Sequence, residues 1–305
     1  MNQQAQGLYH KFNISRTDGT DAPGGKHFGD EYFVLNLTTD KHTIPAIAAY
    51  AESCAAEYHL LASDLRAKVA ATVKASSLFI TVPEVTLPSG KVVPSFQIAQ
   101  YIATRGPAGI PQSVADAMPW VEINYDEARK ACAVAGYDLL AETRALAIAY
   151  DISQQDINWT GGRVGEGKIF QGIHKDNVSE AQAGTYESED AEERRWHQLS
   201  NGERIYDFAG NCYSWVFDDV QGDENGLTGK IAADSISLTT APAKSQKNGV
   251  GWYPEGGANW SGRALVRGGF WGSWSSGSRA GVFGLGGGDP GLRSGGVGFR
   301  CTKSL

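Results

Sequence analysis

The chain has 305 residues, with 27 Lys and Arg against 34 Asp and Glu, 41% hydrophobic residues and 20% charged ones. That balance fits a packed globular protein and excludes collagen-like or disordered chains. A formal net charge of −7 also argues against an electrostatic nucleic-acid binder, which needs a concentrated basic face.

The first 30 residues are turn-rich. Then EYFVLNL alternates Tyr32, Val34 and Leu37 with other residues, which predicts a half-buried strand, with Phe33 and Leu35 weakening the pattern. A helix follows, with Thr43 as its cap and Pro45 in the first turn. Its apolar residues, Ile47, Tyr50, Cys54, Tyr58, Leu61, Leu65 and Val69, recur in steps of three and four and predict one continuous stripe. From about residue 76 the texture changes to β-branched runs divided by Pro and by Ser89-Gly90, read as two or three strands with turns. Asn124 and Glu127 form a capping-box pair ahead of the helical run YDEARKACAVA, which Gly136 stops. A second helix is expected near LLAETRALAIAY. Beyond Asp151 little regular pattern remains for a hundred residues. Trp159, Trp196, Trp215, Trp252 and Trp260 are spread through that stretch and are expected to pin long loops to a core. All eight Trp lie at or after Trp120, and 17 of the 38 Gly fall within residues 251–301. We therefore expect two domains, a small N-terminal one at 1–75 and a larger one at 76–305.

Most local motifs fail on their surroundings. GRVGEGK at 162–168 fits the phosphate-loop spacing, yet Ile169 replaces the hydroxyl residue and neither a leading strand nor a following helix is legible. Gly286, Gly288 and Gly291 satisfy GxGxxG, but Pro290 lies inside and more glycine follows where a helix should begin. Six histidines never fall at metal-binding i, i+4 spacing. Four cysteines, Cys54, Cys132, Cys212 and Cys301, stand far apart and read as buried thiols. GDENG at 222–226 puts Asp223 and Glu224 in a turn after Asp218 and Asp219, an oxygen cluster suited to calcium and at least equally to a solvated acidic turn. No apolar run reaches the ~20 residues of a bilayer span, and MNQQAQGLYHKF lacks a signal-peptide core. Synthesis in a cytoplasm without a signal peptide is expected.

The pieces PWVEINYDEARKACAVAGYDLLAE, YDFAGNCYSW, VRGGFW and GFRC occur in that order. In this arrangement the chain, from about residue 94 onward, resembles the formylglycine-generating-enzyme (sulfatase-modifying factor) type of C-type-lectin-like fold. More narrowly, the run from 263 to 301 looks like the variable region of proteins diversified by diversity-generating retroelements, such as phage receptor-binding tip proteins. The resemblance implies an α+β fold, a C-type-lectin-like domain with a small N-terminal α/β domain. It also implies a non-enzymatic ligand- or receptor-binding protein, with the alternative of a catalytic member using an unrecognised site.

By resemblance the displayed, ligand-binding positions are Phe270, Gly272, Ser273, Trp274, Ser278, Arg279, Gly284, Gly286, Gly287, Leu292, Arg293, Gly295 and Gly296. Trp271, Val282, Phe283, Val297 and Phe299 are expected as buried anchors beneath them. Grip is assigned to Phe270, Trp274, Arg279, Leu292 and Arg293, the residue types that dominate binding hot spots. Where oxidase relatives carry a copper-binding cysteine pair after RGG, this chain reads FWGSWSSGSR, and the HxxxHxE of iron-dependent relatives is absent. Neither a catalytic residue nor a metal ligand is therefore assigned. Ser214 stands where relatives often have a Glu that helps hold calcium, so no cofactor is expected and a structural calcium is disfavoured. Randomised AAC-type codons become NNC and cannot encode Lys, Glu, Gln, Met or Trp. Gly262–Cys301 contains none of the first four, Trp271 fits a fixed anchor, and Trp274 must be fixed or lie outside those codons. The N-terminal part resembles a small family of phage and prophage genes. The implied partner is a protein or surface receptor, with no nucleic acid and no membrane span, and with self-association through the N-terminal domain. The implied location is a phage virion, or otherwise a bacterial cytoplasm.

Overall fold

The computed structural model describes residues 12–40, 42–242, 248–273 and 279–305. It divides into two compact units, Met1–Leu65 and Arg66–Leu305.

Among the described residues the N-terminal unit is helical and contains no strand. The strand expected over 31–37 is an irregular extended segment with Tyr32, Phe33, Val34 and Leu37 all exposed. Among the described residues no strand pairs with it, and an Asn36 turn, in which Oδ1 accepts from Thr38 and Thr39 N–H, ends it. The expected single helix is two, α1 (Thr43–Ser53) and α2 (His59–Ser76). Thr43 is the first residue of α1 rather than its cap. His42 occupies the cap without a side-chain bond, and the Thr43 hydroxyl donates to Asn36 O. The stripe breaks because the turn after Cys54 lets Ala51, Cys54 and Ala62 pack on one another, with Leu65 alongside. Tyr50, Tyr58 and Leu61 are left exposed.

The larger unit begins its sheets with β1 (Phe79–Val82), β2 (Val85–Thr86), β3 (Val92–Val93), β4 (Phe96–Ala99), β5 (Thr104–Arg105) and β6 (Pro111–Gln112). Next come α3 (Tyr125–Val134), β7 (Asp138–Leu139) and α4 (Glu142–Ser153). The loop-heavy middle holds β8 (Trp196–Gln198), β9 (Arg204–Tyr206), β10 (Tyr213–Val216), β11 (Gly222–Asp223), β12 (Gly226–Leu227) and α5 (Ile236–Thr239). The chain ends in β13 (Ala264–Arg267), β14 (Leu285–Gly288), β15 (Val297–Phe299) and β16 (Cys301–Ser304). One four-stranded sheet has the order β1-β4-β16-β7 and the other β14-β13-β10-β15. Within the second, β13 runs antiparallel to β10 and β14, while β15 runs parallel to β10.

Local signals explain the helices. The Asn124 side chain accepts the Glu127 N–H at 2.9 Å, and Glu127 returns the bond to the Asn124 N–H. At the far end of α3, Gly136 N–H donates to Ala133 O and Tyr137 N–H to Cys132 O, the paired bonds of a Schellman stop. Helix α4 is buried on nearly every face. Its first residue, Glu142, therefore needs a partner, and Arg267 supplies it through Nε at 2.8 Å and Nη2. In the Arg267-Gly268-Gly269 motif, a Cβ on Gly269 would lie 2.4 Å from Ala280 Cα, so only glycine lets the chain pass there. The core places Phe96, Ile98, Leu146, Ile148, Val282 and Phe283 in one cluster and Tyr125, Trp215, Val297, Phe299, Cys132 and Cys301 in another.

Candidate functional site

Strand β14 lies at the edge of its sheet and is almost side-chain-free, Leu285 followed by Gly286, Gly287 and Gly288. Beside it opens a depression of about 450 Å³ lined by 14 residues, among them Tyr213, Trp252, Trp260, Arg263, Phe270 and Arg279. Two ring pairs stand in it. Trp252 and Trp260 stack at 6.4 Å between centroids with 29° between planes. Tyr213 and Phe270 stack at 5.7 Å and 26°. The Phe270 ring rests on Gly272 and Gly296, and its edge meets Trp271 at 5.5 Å. The Arg279 guanidinium lies 5.0 Å from the Trp252 ring centre, a cation–π distance. Burial pushes the Tyr213 phenol above its usual range, while Arg279 pulls the other way. Arg263 Nη1 donates to Gly287 O at 3.0 Å. Among the described residues the charged lining side chains are the two arginines, with no carboxylate beside them.

Of the thirteen positions assigned from sequence, Phe270, Arg279, Gly286, Gly287, Leu292 and Gly296 come together here. Ser273 is buried, its Oγ accepting the Phe270 N–H at 3.0 Å. Gly284 is buried, Gly272 half-buried and Gly295 exposed. Arg293 turns elsewhere. It donates to Glu122 O at 3.1 Å, pairs with Glu127 and lines a second depression of about 790 Å³ together with Arg105, Trp120 and Lys130. Trp274 and Ser278 lie outside the described residues. Among the anchors, Val282, Phe283, Val297 and Phe299 are buried. Trp271 is half-buried against Ile102, Ala181 and Cys212.

Sequence reasoning missed Tyr213, Trp252, Trp260, Arg263 and Ser294 as lining residues. Trp252 and Trp260 were read only as loop anchors. A signal was available, because WYPEGGANW places two indoles on either side of a Pro-Glu-Gly-Gly turn that can bring them together.

The acidic residues around GDENG are engaged locally. Asp218 Oδ1 accepts from Val220 and Gln221 N–H, the Asp219 carboxylate accepts from Thr143, and Asp223 accepts from Asn225 N–H. Among the described residues, no three His, Cys, Asp or Glu side chains gather to hold a metal ion. The copper site that the oxidase branch would imply has no cysteine pair to form it, since FWGSWSSGSR contains no cysteine and all four cysteines of the chain are buried. Burial pushes the Cys212 thiol up to about 12 and raises that of Cys132, whose Sγ lies 3.1 Å from Cys301 Sγ. These groups stay protonated and are poor soft-metal ligands. His174 and His197 are buried on the Gly172 and Phe170 carbonyls. The 162–168 motif is a turn with no helix after it, and Gly286 and Gly288 are strand residues. No described helix is long and apolar enough to cross a membrane.

Residues 64–305 match the model of the sulfatase-modifying factor enzyme 1-like domain. No curated protein matches. Among solved structures, PvdO from Pseudomonas aeruginosa aligns at 16% identity and TM-score 0.37, covering 74% of this chain and 94% of that one. Treponema denticola variable protein 1 aligns at 13% and 0.36, covering 74% and 94%. The Major Tropism Determinant M1 variant aligns at 13% and 0.36, covering 72% and 52%.

Proposed function

Because the chain belongs to the sulfatase-modifying factor enzyme 1-like family, whose fold is the α+β C-type-lectin-like one, we propose that it uses that fold to bind rather than to catalyse. In this reading it is a ligand- or receptor-binding protein whose C-terminal surface, within 263–301, is diversified by a retroelement. The carrying observation is the gathering of Phe270, Arg279, Gly286, Gly287, Leu292 and Gly296 into one aromatic depression, with Val282, Phe283, Val297 and Phe299 buried in the frame. Such an arrangement separates the residues that hold the fold from those that meet a target. Gly272, Ser273, Trp274, Ser278, Gly284, Arg293 and Gly295 complete the proposed set and shape its surroundings. The lack of cysteine in the FWGSWSSGSR segment that follows RGG, and thiols raised by burial at Cys132 and Cys212, support binding over oxidation. The partner is a protein or surface receptor, displayed to from a phage virion or a bacterial cell, with domain 1–75 serving attachment or self-association that multiplies weak contacts.

Sequencing the locus tests this reading. It requires a near-identical template repeat, a neighbouring reverse-transcriptase gene and differences between copies confined to the displayed codons. An invariant 263–301 segment among copies, or stoichiometric copper or iron with cysteine-oxidising activity in the purified protein, overturns it in favour of a catalytic member.

A further inference from the structure

Resting on that reading, we propose that the depression takes an aromatic side chain of a partner protein flanked by a carboxylate, a Tyr, Phe or Trp beside Asp or Glu. Four rings stand around a strip of bare glycine backbone, giving flat apolar walls that recognise another ring through area and edge-to-face contact. A saccharide makes a different demand, because each hydroxyl taken from water needs a hydrogen-bond partner. Here the polar side-chain groups among the described lining residues are the Tyr213 phenol, the Ser294 hydroxyl, two indole N–H groups and two guanidiniums, with no carboxylate or amide to pair with successive hydroxyls.

Charge selects the flank. Arg263 and Arg279 are cationic with no carboxylate among the described lining residues, on a chain whose net charge is −7. A partner carboxylate meeting the exposed Arg279 guanidinium above the Trp252 ring gains a charge-assisted bond. The second depression offers no such opening at Arg293, which Glu127 already neutralises.

Three of the four rings, Tyr213, Trp252 and Trp260, precede residue 263 and stand outside the segment proposed to vary. The demand for a ring is therefore common to every sibling, and Phe270, Leu292 and Arg279 choose which ring and which flank.

The test titrates the full chain, labelled with 5-fluorotryptophan, with acetyl-Glu-Tyr-Glu-amide, acetyl-Glu-Ala-Glu-amide, acetyl-Lys-Tyr-Lys-amide and maltotriose. Trp252→Phe and Trp260→Phe assign the two signals. The Glu-Tyr-Glu peptide should shift both and bind at least about tenfold tighter than either other peptide. Arg279→Gln should abolish the preference for Glu over Lys while keeping the need for Tyr, a split that mere misfolding does not produce. Equal binding of the Ala or Lys peptides, shifts by maltotriose alone, or no shift at peptide saturation overturns the ligand class. None of these touches sibling variation at the locus, which judges the binding function separately.

Discussion

Two tryptophans meet the same glycine strand and serve opposite ends. A Cβ on Gly288 would lie 3.0 Å from the Trp215 ring, and one on Gly287 would lie 2.8 Å from the Trp260 ring. Trp215 is fully buried, its Nε1 donating to Ile123 O at 2.9 Å. Trp260 is half-buried, stacked on Trp252 and facing the depression. The bare strand is thus a spacer that lets an indole approach from the frame and another from the depression. If the depression binds as proposed, substitutions at the first should cost mainly stability and at the second mainly recognition.

The largest effect is expected at the frame. Trp215→Ala should cost about 3 to 5 kcal/mol in denaturant unfolding, the range for deleting a buried aromatic. Trp260→Ala should cost less than about 1 kcal/mol while abolishing the Glu-Tyr-Glu shift. Equal losses at the two sites would break the comparison.

Nearly as large is the buried pair beneath the RGG motif. Arg267→Met strands the Glu142 carboxylate and should cost about 3 to 5 kcal/mol, and adding Glu142→Leu should restore much of it. Thermal melts of the single and double variants check this. A double variant no better than the single would mean that packing, not stranded charge, carries the loss.

The third prediction concerns acid. Burial holds His197 down to about 4 and also lowers His174. Between the ordinary imidazole value of 6.5 and those depressed values, the unfolded chain binds more protons than the native one. Stability from these groups is therefore full above pH 6.5 and falls as pH drops towards 4, by about 3 kcal/mol for His197 alone. Glu193, whose carboxyl is held below its ordinary range by the His174 and Lys175 amides and by Ser188 and Asn177, adds its loss only at lower pH. Unfolding measured from pH 8 to 4 should show a slope that starts near 6.5 and flattens in His197→Gln.

The smallest effect belongs to Arg293. Its exposed pair with Glu127 should contribute nothing measurable, so Arg293→Ala should leave the melting temperature unchanged. A change in peptide binding on that substitution would extend the recognition surface to the second depression.

What the sequence disclosed follows the range of the forces involved. The Asn124–Glu127 box and the Gly136 stop depend on neighbours three or four residues apart, and both stand as read. The ordered motifs were legible because RGG and GFRC answer to backbone crowding and burial fixed by the fold. The depression was half legible. Phe270 and Leu292 lie in the recognisable run, while Trp252 and Trp260 join them through long-range packing that no local period announces. The N-terminal errors share one cause. Alternation over Tyr32–Leu37 and the stripe over Ile47–Val69 describe side chains, but a strand also needs a pairing edge. A long stripe also needs a cover, and here the chain supplies its own by turning after Cys54.

Strand β16 is the last element of its sheet to be made. Its partners β4 and β7 are translated long before it, so the first sheet stays split down the middle until Cys301–Ser304 arrives to pair with both. Any substitution upstream that keeps that late strand from docking leaves the gap open and the molecule exposed to proteases. The order of synthesis thereby makes the last strand the step that closes the sheet.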